Sequence, residues 1–286
     1  MHNTMKVVRW EVKRNLKSKS FVYGLFLTPA IFALFLFLPS LLNKENNGLN
    51  LSTIPSIVLE QTVPGIFAGI ILLSIIYTGM MTFQSASQER KDKMAEIILS
   101  SLTPTELMQG KIFGYFALGL IQVFVWVGLA IPFILWKVDQ TILSYLFTYE
   151  TVVFLIFAVL GYLFYAALFV SLGATIEDVS ASGNFQGMVF MLPFIPVVFI
   201  SSILEDPDST LVKVISYIPF TSPSVMIFRL TLLENWVWWE LGLAILMLVF
   251  SIFVFMKLAG KIFKVGIQKY GKNATVRDIL SWIKSS

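Results

Sequence analysis

The sequence predicts an all-α polytopic membrane protein with six transmembrane helices, and three observations predict it. Charged residues make up 13% of the chain and hydrophobic residues 57%, where a soluble domain averages about 25% charged. The apolar residues gather into runs of about 20, each long enough to cross a hydrocarbon core of about 30 Å. The basic residues are also distributed very unevenly among the segments between those runs. Strand-period alternation is absent, which disfavours an outer-membrane barrel.

Residues 1–20 carry Lys6, Arg9, Lys13, Arg14, Lys17 and Lys19 against the single acid Glu11. Met5, Val8, Val12 and Leu16 recur at helical spacing, with a basic row one residue along. This pattern predicts an interfacial helix lying on anionic lipid, with Trp10 among the headgroups. The apolar run 21–42 that follows is too long for a signal-peptide core and has no small-residue cleavage site, so it is expected to be the first span, kinked at Pro29. Residues 43–62 are a polar loop, and the second span covers about 63–84.

The stretch 88–111 interrupts the apolar pattern, with six charges in its first nine residues. Met94, Ile97, Ile98 and Leu102 form an apolar stripe, and Glu89, Asp92 and Glu96 line another face. Thr103-Pro104-Thr105-Glu106 then reads as a capping box with proline at the first helical position. It is expected to end one helix and start the next.

The third span is expected at about 108–136, the fourth at 150–175 and the fifth at 183–204 with Pro193 and Pro196. The sixth, about 236–256, opens on Trp236, Trp238 and Trp239 as an aromatic belt. Between the last two, 205–235 is too apolar for a solvent loop, yet Pro207, Pro219 and Pro223 cut it into pieces too short to span. A pair of re-entrant or interfacial helices is expected there. The tail 257–286 predicts a terminal amphipathic helix from Val276, Ile279, Leu280 and Ile283 behind a Thr275 cap.

With six spans, the side holding both termini carries six basic residues before the first span. The first returning loop adds four (Arg90, Lys91, Lys93, Lys111) and the tail seven, which leaves only Lys44, Lys137, Lys213 and Arg229 of 21 on the other side. That asymmetry puts the termini and the 88–104 stretch in the cytoplasm. The expected organisation is therefore a cytoplasmic interfacial helix at 1–20, a transmembrane domain at 21–256 and a cytoplasmic tail at 257–286.

The residue inventory narrows the chemistry. There is no cysteine, and the one histidine is His2, so thiol chemistry and a buried histidine site are excluded. No phosphate-binding glycine-lysine loop occurs; Gly110-Lys111, Gly260-Lys261 and Gly271-Lys272 lack the rest of the pattern. The carboxylate pairs Glu177-Asp178 and Glu205-Asp206 read as solvated membrane-edge charges. Span centres are nearly free of charge, leaving Gln122, Asn184 and Gln186 as candidate transport-path or interhelical contacts. Gly65/Gly69, Gly110/Gly114, Ala167/Ser171 and Gly183/Gly187 are small-residue pairs that permit close helix packing.

The stretch from Glu89 through Glu96, Ser100-Ser101, Pro104 and Gly110-Lys111 to Gly114 resembles the signature of ABC-2 type transporter permeases. Within that family it is most similar to the sodium-extrusion (Nat-type) subgroup. Pro219, Pro223, Met226 and Arg229 ahead of the last span, and the Tyr270-Gly-Lys tail with Trp282, extend the likeness along the chain. Nat-type members usually carry a large extracytoplasmic insertion where this chain has only 43–62, so the likeness does not name the cargo.

The resemblance implies a dimer of six-span permeases, formed with a second copy or a paralogue, in the bacterial cytoplasmic membrane. A separate cytoplasmic ABC ATPase would hold ATP and magnesium; this chain would bind no cofactor, metal or nucleic acid and catalyse nothing itself. The coupling helix would be 86–104, with 88–104 seated on the ATPase through Glu89, Arg90, Lys93, Glu96 and Leu99, and Pro104 fixing its angle. The cargo, exported, would be sodium or an amphipathic peptide, antibiotic or lipid-like molecule. A stand-alone secondary carrier or channel is the alternative, and a membrane-embedded enzyme a third; both classes call for intramembrane or clustered acids that the sequence does not show.

Overall fold

The computed structural model describes residues 2–27, 29–30, 73–88, 102–137, 149–176, 183–233 and 235–268, with the backbone alone at 2, 130–137, 149–151, 184 and 268. All regular structure among them is helical. We number the α-helices α1 (His2–Leu16), α2 (Pro104–Lys137), α3 (Tyr149–Gly173), α4 (Gly183–Met191), α5 (Ile200–Glu205), α6 (Thr210–Tyr217), α7 (Ser222–Leu232) and α8 (Trp238–Gln268). A 3-10 segment, Leu192–Phe199, joins α4 to α5. Residues 19–27 and 73–88 are also helical.

Four stretches of the described residues are long and apolar enough to cross a membrane: Pro104–Leu129, Val152–Gly173, Phe185–Glu205 and Trp238–Ile267. They fall on the third to sixth expected spans. Most of the first two expected spans lies outside the described residues, and so do 89–101 and the tail beyond 268.

α3 is the centre of the bundle. Ala166, Ala167, Leu168, Phe169 and Val170 are five consecutive buried residues, the mark of a helix enclosed on every side. α8 packs on it along Leu241, Ala244, Leu248, Ile252, Met256, Ala259 and Phe263, a buried row at three- and four-residue spacing. Its opposite face exposes Leu246, Phe250 and Phe253, as a lipid-facing surface does. Ser171 donates to the backbone oxygen of Phe255 at 2.9 Å. Phe164 sets edge contacts with Phe220 and Phe255, tying the α6–α7 turn to both helices.

Two boundaries differ from the sequence expectation. α8 runs unbroken to Gln268, past the expected end of the last span at Met256, because Ala259, Ile262 and Phe263 are buried beyond that point. The fifth expected span is not one α-helix. Pro193 and Pro196 each remove a backbone donor, and the chain between α4 and α5 takes the tighter 3-10 winding with both prolines buried.

Contacts place the helix ends. Ser87 donates to the backbone oxygen of Ile176 at 2.9 Å, and a Cβ on Gly260 would lie 2.9 Å from the Cα of Thr105. Residues 85–88, the start of α2, the end of α3 and the last turns of α8 therefore share one end of the bundle. The start of α8 and helices α6 and α7 sit at the other end, where Trp236 packs against Phe154.

Candidate functional site

The corner at the start of α2 has the expected geometry. The backbone N–H of Thr103 donates to Glu106 Oε2 at 3.0 Å, and the N–H of Glu106 donates back to Thr103 Oγ1 at 3.2 Å. Pro104 is the first residue of α2. Two backbone donors with no intrahelical partner are thus satisfied reciprocally, and the helix starts at a fixed point. Glu89, Arg90, Lys93, Glu96 and Leu99 lie outside the described residues.

Immediately beyond the corner is a buried knot of charge. Lys111 Nζ donates to Glu11 Oε1 at 2.6 Å and to Ser85 Oγ at 2.7 Å. Arg14 Nη2 donates to Glu11 Oε2 at 2.6 Å, to Ser85 Oγ at 3.0 Å and to the Tyr115 hydroxyl at 3.5 Å. Asn15 Nδ2 donates to the Glu11 backbone oxygen at 2.9 Å. The side chains of Glu11 and Lys111 are both 0% exposed, whereas that of Arg14 is 40% exposed and rests on the Trp10 ring at 4.2 Å.

The glycines beside Lys111 make this knot possible. A Cβ on Gly110 would meet Val7 Cβ at 2.5 Å, and one on Gly114 would meet Glu11 Cβ at 2.8 Å. The Gly-Lys-x-x-Gly pattern is therefore a seat for α1: its glycines admit the helix backbone and its lysine receives the helix's one acid.

This adds a protein-facing row to the reading of α1. The row against the protein is Thr4, Val7, Glu11 and Asn15; the expected apolar stripe lies beside it, with Met5 and Leu16 exposed. Sequence reasoning missed Glu11. The signal was available, as an acid on a helical row of small and polar residues, together with Gly110-Lys111 and Gly114.

A second buried ion pair lies at the other end. Arg229, on α7, meets Glu240, on α8, with Nη1 to Oε2 at 2.5 Å. Its Nε donates to the Pro207 backbone oxygen at 2.8 Å and its Nη2 to Asp208 Oδ1 at 3.0 Å. Lys213 Nζ completes the group, 2.8 Å from Asp208 Oδ2 and 4.0 Å from Glu240 Oε1. Hydrogen bonds from Lys213 and then Arg229 hold the Asp208 carboxyl below its ordinary range, and Asp208 raises the Lys213 ammonium above its own.

The motif ahead of the last span now has parts. Pro223 opens α7 against Gly161, where a Cβ would lie 2.5 Å from the proline's own. Met226 is fully buried and Arg229 carries the ion pair. Pro219 sits in the α6–α7 turn, where Thr221 N–H donates to the Ile218 oxygen at 3.0 Å.

The three polar candidates in the spans separate. Gln122 is fully buried, and neither polar atom of its amide has a hydrogen-bond partner among the described residues. Gln186 is half-buried on α4, and Asn184 lies two residues earlier on the same helix. No hydrogen bond joins Gln186 to the Gln122 amide. It does gather a polar row the sequence reading did not single out: Ser74, Thr78, Thr82 and Ser85 are buried along 73–88, and Ser74 and Thr78 bond the Tyr162 hydroxyl of α3. Gly119 leaves room for that tyrosine, whose ring carbon would be 1.9 Å from a Cβ there.

Among the described residues no cluster of histidine, cysteine or carboxylate has the composition of a metal site. The fold thus offers capped corners and buried ion pairs at its two ends, joined by apolar helices.

Comparison with known proteins agrees with this architecture. The sequence profile of the ABC-2 family transporter proteins matches residues 13–261. Uncharacterized protein MJ1024 of Methanocaldococcus jannaschii is 28% identical over 225 residues, which is 79% of this chain and 54% of that one. Uncharacterized protein YhaP of Bacillus subtilis is 27% identical over 238 residues, 77% of this chain and 55% of that one. The chain spans about half the length of these curated relatives, and neither name states a substrate. With the family profile matching from within α1 to within α8, the chain belongs to the ABC-2 family of transporter proteins.

Proposed function

We propose that the chain is the membrane-spanning permease subunit of an ATP-driven ABC exporter, and that 88–104 is the coupling helix on which a separate ATPase pushes. The observation that carries the reading is the capped corner at Thr103–Glu106 within a chain of the ABC-2 family. A helix entering a span through a fixed corner transmits rigid-body motion, whereas a solvated loop absorbs it. No nucleotide-binding loop occurs in the sequence, so ATP and magnesium belong to the partner.

In this reading the chain has six spans within 21–256 and both termini in the cytoplasm, in the bacterial cytoplasmic membrane, with 205–235 folded back on the outer side. It pairs with a second copy or a paralogue. Glu89, Arg90, Lys93, Glu96 and Leu99 dock the ATPase by complementary charge around an apolar contact. The cargo leaves the cell, and it is sodium or an amphipathic peptide, an antibiotic or a lipid-like molecule, each of which suits so apolar a bundle. The test is co-purification. Glu89→Lys with Glu96→Lys should insert normally and lose an ATP-hydrolysing partner that the parent retains. Undiminished retention by the double variant would rule out the coupling role.

A further inference from the structure

We infer that the Glu11–Lys111–Ser85 knot is the joint that makes the coupling segment and the N-terminal helix move as one body. The inference rests on the coupling role proposed for 88–104.

Side chains on both sides of that segment are held in the bundle. Ser85 lies three residues before it, near the end of helix 73–88, and Lys111 lies seven residues after it, two turns into α2. These two side chains bond each other directly, Nζ to Oγ at 2.7 Å. The two residues that flank the segment are thus clipped together. Ser87 adds a second tether, to Ile176 at the end of α3, and the Thr103–Glu106 box fixes the return. A load on the intervening residues cannot spread Ser85 and Lys111 apart without breaking the clip.

Glu11 brings α1 into the same joint. Its two carboxylate oxygens divide between Lys111 and Arg14, and Arg14 reaches back to Ser85. Three chain segments distant in sequence therefore meet on one carboxylate, one ammonium and one hydroxyl. Apolar side chains of similar volume would hold α1 against α2 as firmly, because burying two charges costs about what their attraction returns. What the charged set adds is register: a Glu11 carboxylate displaced by one turn of α1 keeps Arg14 but loses its bond to the buried Lys111 ammonium. Such a contact resists sliding far more than an apolar face does. Glu11, Lys111 and Ser85 are positioning residues for coupling, touching neither nucleotide nor cargo.

The chain has no cysteine, which allows a clean distance measurement. Spin labels at Met5→Cys, on the exposed face of α1, and Val198→Cys, exposed on the 3-10 segment, report α1 against an element outside the joint. The permease is purified with its co-expressed ATPase and compared without nucleotide and after trapping with ATP, magnesium and vanadate. In the parent the label distance should change on trapping. Lys111→Met should keep the ATPase bound and hydrolysing while the distance change falls severalfold; Ser85→Ala should reduce it to a lesser degree. If Lys111→Met is not recovered from the membrane, Ser85→Ala decides alone. A full distance change in the recovered variants, with the ATPase bound, overturns the joint and leaves the coupling role standing. A parent that retains no ATP-hydrolysing partner overturns the coupling role, and the joint falls with it.

Discussion

Two ion pairs are buried towards opposite ends of this molecule, and they are built differently. The Glu11–Lys111 pair is sealed, with both side chains at 0% exposure; Ser85 and Asn15 bond it, and Arg14, 40% exposed on the same helix as Glu11, takes the second carboxylate oxygen. The Arg229–Glu240 pair is also buried, but it continues outward through Asp208, 55% exposed, and Lys213. One gathers three segments around a single acid and the other is an open chain of charges leading to the surface. Arg14 bonds Glu11 and so cannot stand in for it against Lys111, whereas Lys213 lies within 4.0 Å of Glu240 and can stand in for Arg229. The difference teaches that burial of a pair says little about its fragility until the neighbouring charges are known.

The sharpest way to break the comparison is to remove one partner from each. Glu11→Ala leaves Lys111 buried without its carboxylate, which should cost about 3–5 kcal/mol. Thermal unfolding in detergent should show it, with early loss of amide protection in α1. Arg229→Met should cost less, roughly 2–3 kcal/mol, because Lys213 can move onto Glu240. Equal losses in the two variants would erase the distinction. Gly110→Ala tests the seat without touching charge. Its Cβ would press on Val7 and on the Thr4 backbone oxygen at 3.1 Å, lifting α1 at a cost of about 1–3 kcal/mol. Hydrogen exchange should find the loss at α1 and leave α6 and α7 protected.

The smallest effect is in pH, and it should touch only the open end. Asp208 has a pKa below its unfolded value, so its contribution is complete above the ordinary carboxylate range and is lost as pH falls through the lowered pKa. Lys213 has a raised pKa, so its contribution holds below the ordinary lysine value and fades as pH rises through the raised one. Between those limits α6 should stay docked. Amide exchange across α6 followed as a function of pH, at low and high salt, should show loosening in acid; protection of α6 that is flat across that range would mean the Asp208–Lys213 contacts do not hold it.

Much of the fold could be read from the sequence because membrane spans declare themselves by length and Thr103-Pro104-Thr105-Glu106 is a local signal that needs no tertiary context. Pro219 and Pro223 were equally legible as interruptions, whereas Pro193 and Pro196 stand inside the expected fifth span and the winding they impose was not legible. The face of α1 was not legible, for a reason particular to membranes. A soluble amphipathic helix turns its apolar stripe to the protein; here the polar row Thr4, Glu11 and Asn15 faces the protein and Met5 and Leu16 face outward. Where the surroundings are as apolar as the stripe, close packing and polar contacts decide which face is inside. Glu11 looked like one acid among many bases, and only the three-dimensional meeting with Lys111 makes it the residue on which α1 turns.

The 3-10 winding of Leu192–Phe199 has a consequence for how its span sits in the bilayer. Each residue so wound advances about 2.0 Å where an α-helical residue advances 1.5 Å, so the eight residues add about 4 Å to the segment. The stretch Phe185–Glu205 then reaches about 35 Å, more than the hydrocarbon thickness of about 30 Å. A span longer than its slab leans or thickens the lipid around it. Pro193 and Pro196 deny two of the backbone bonds that would shorten the stretch back to α-helix, so the mismatch is written into the chain, and the surrounding lipid must meet it.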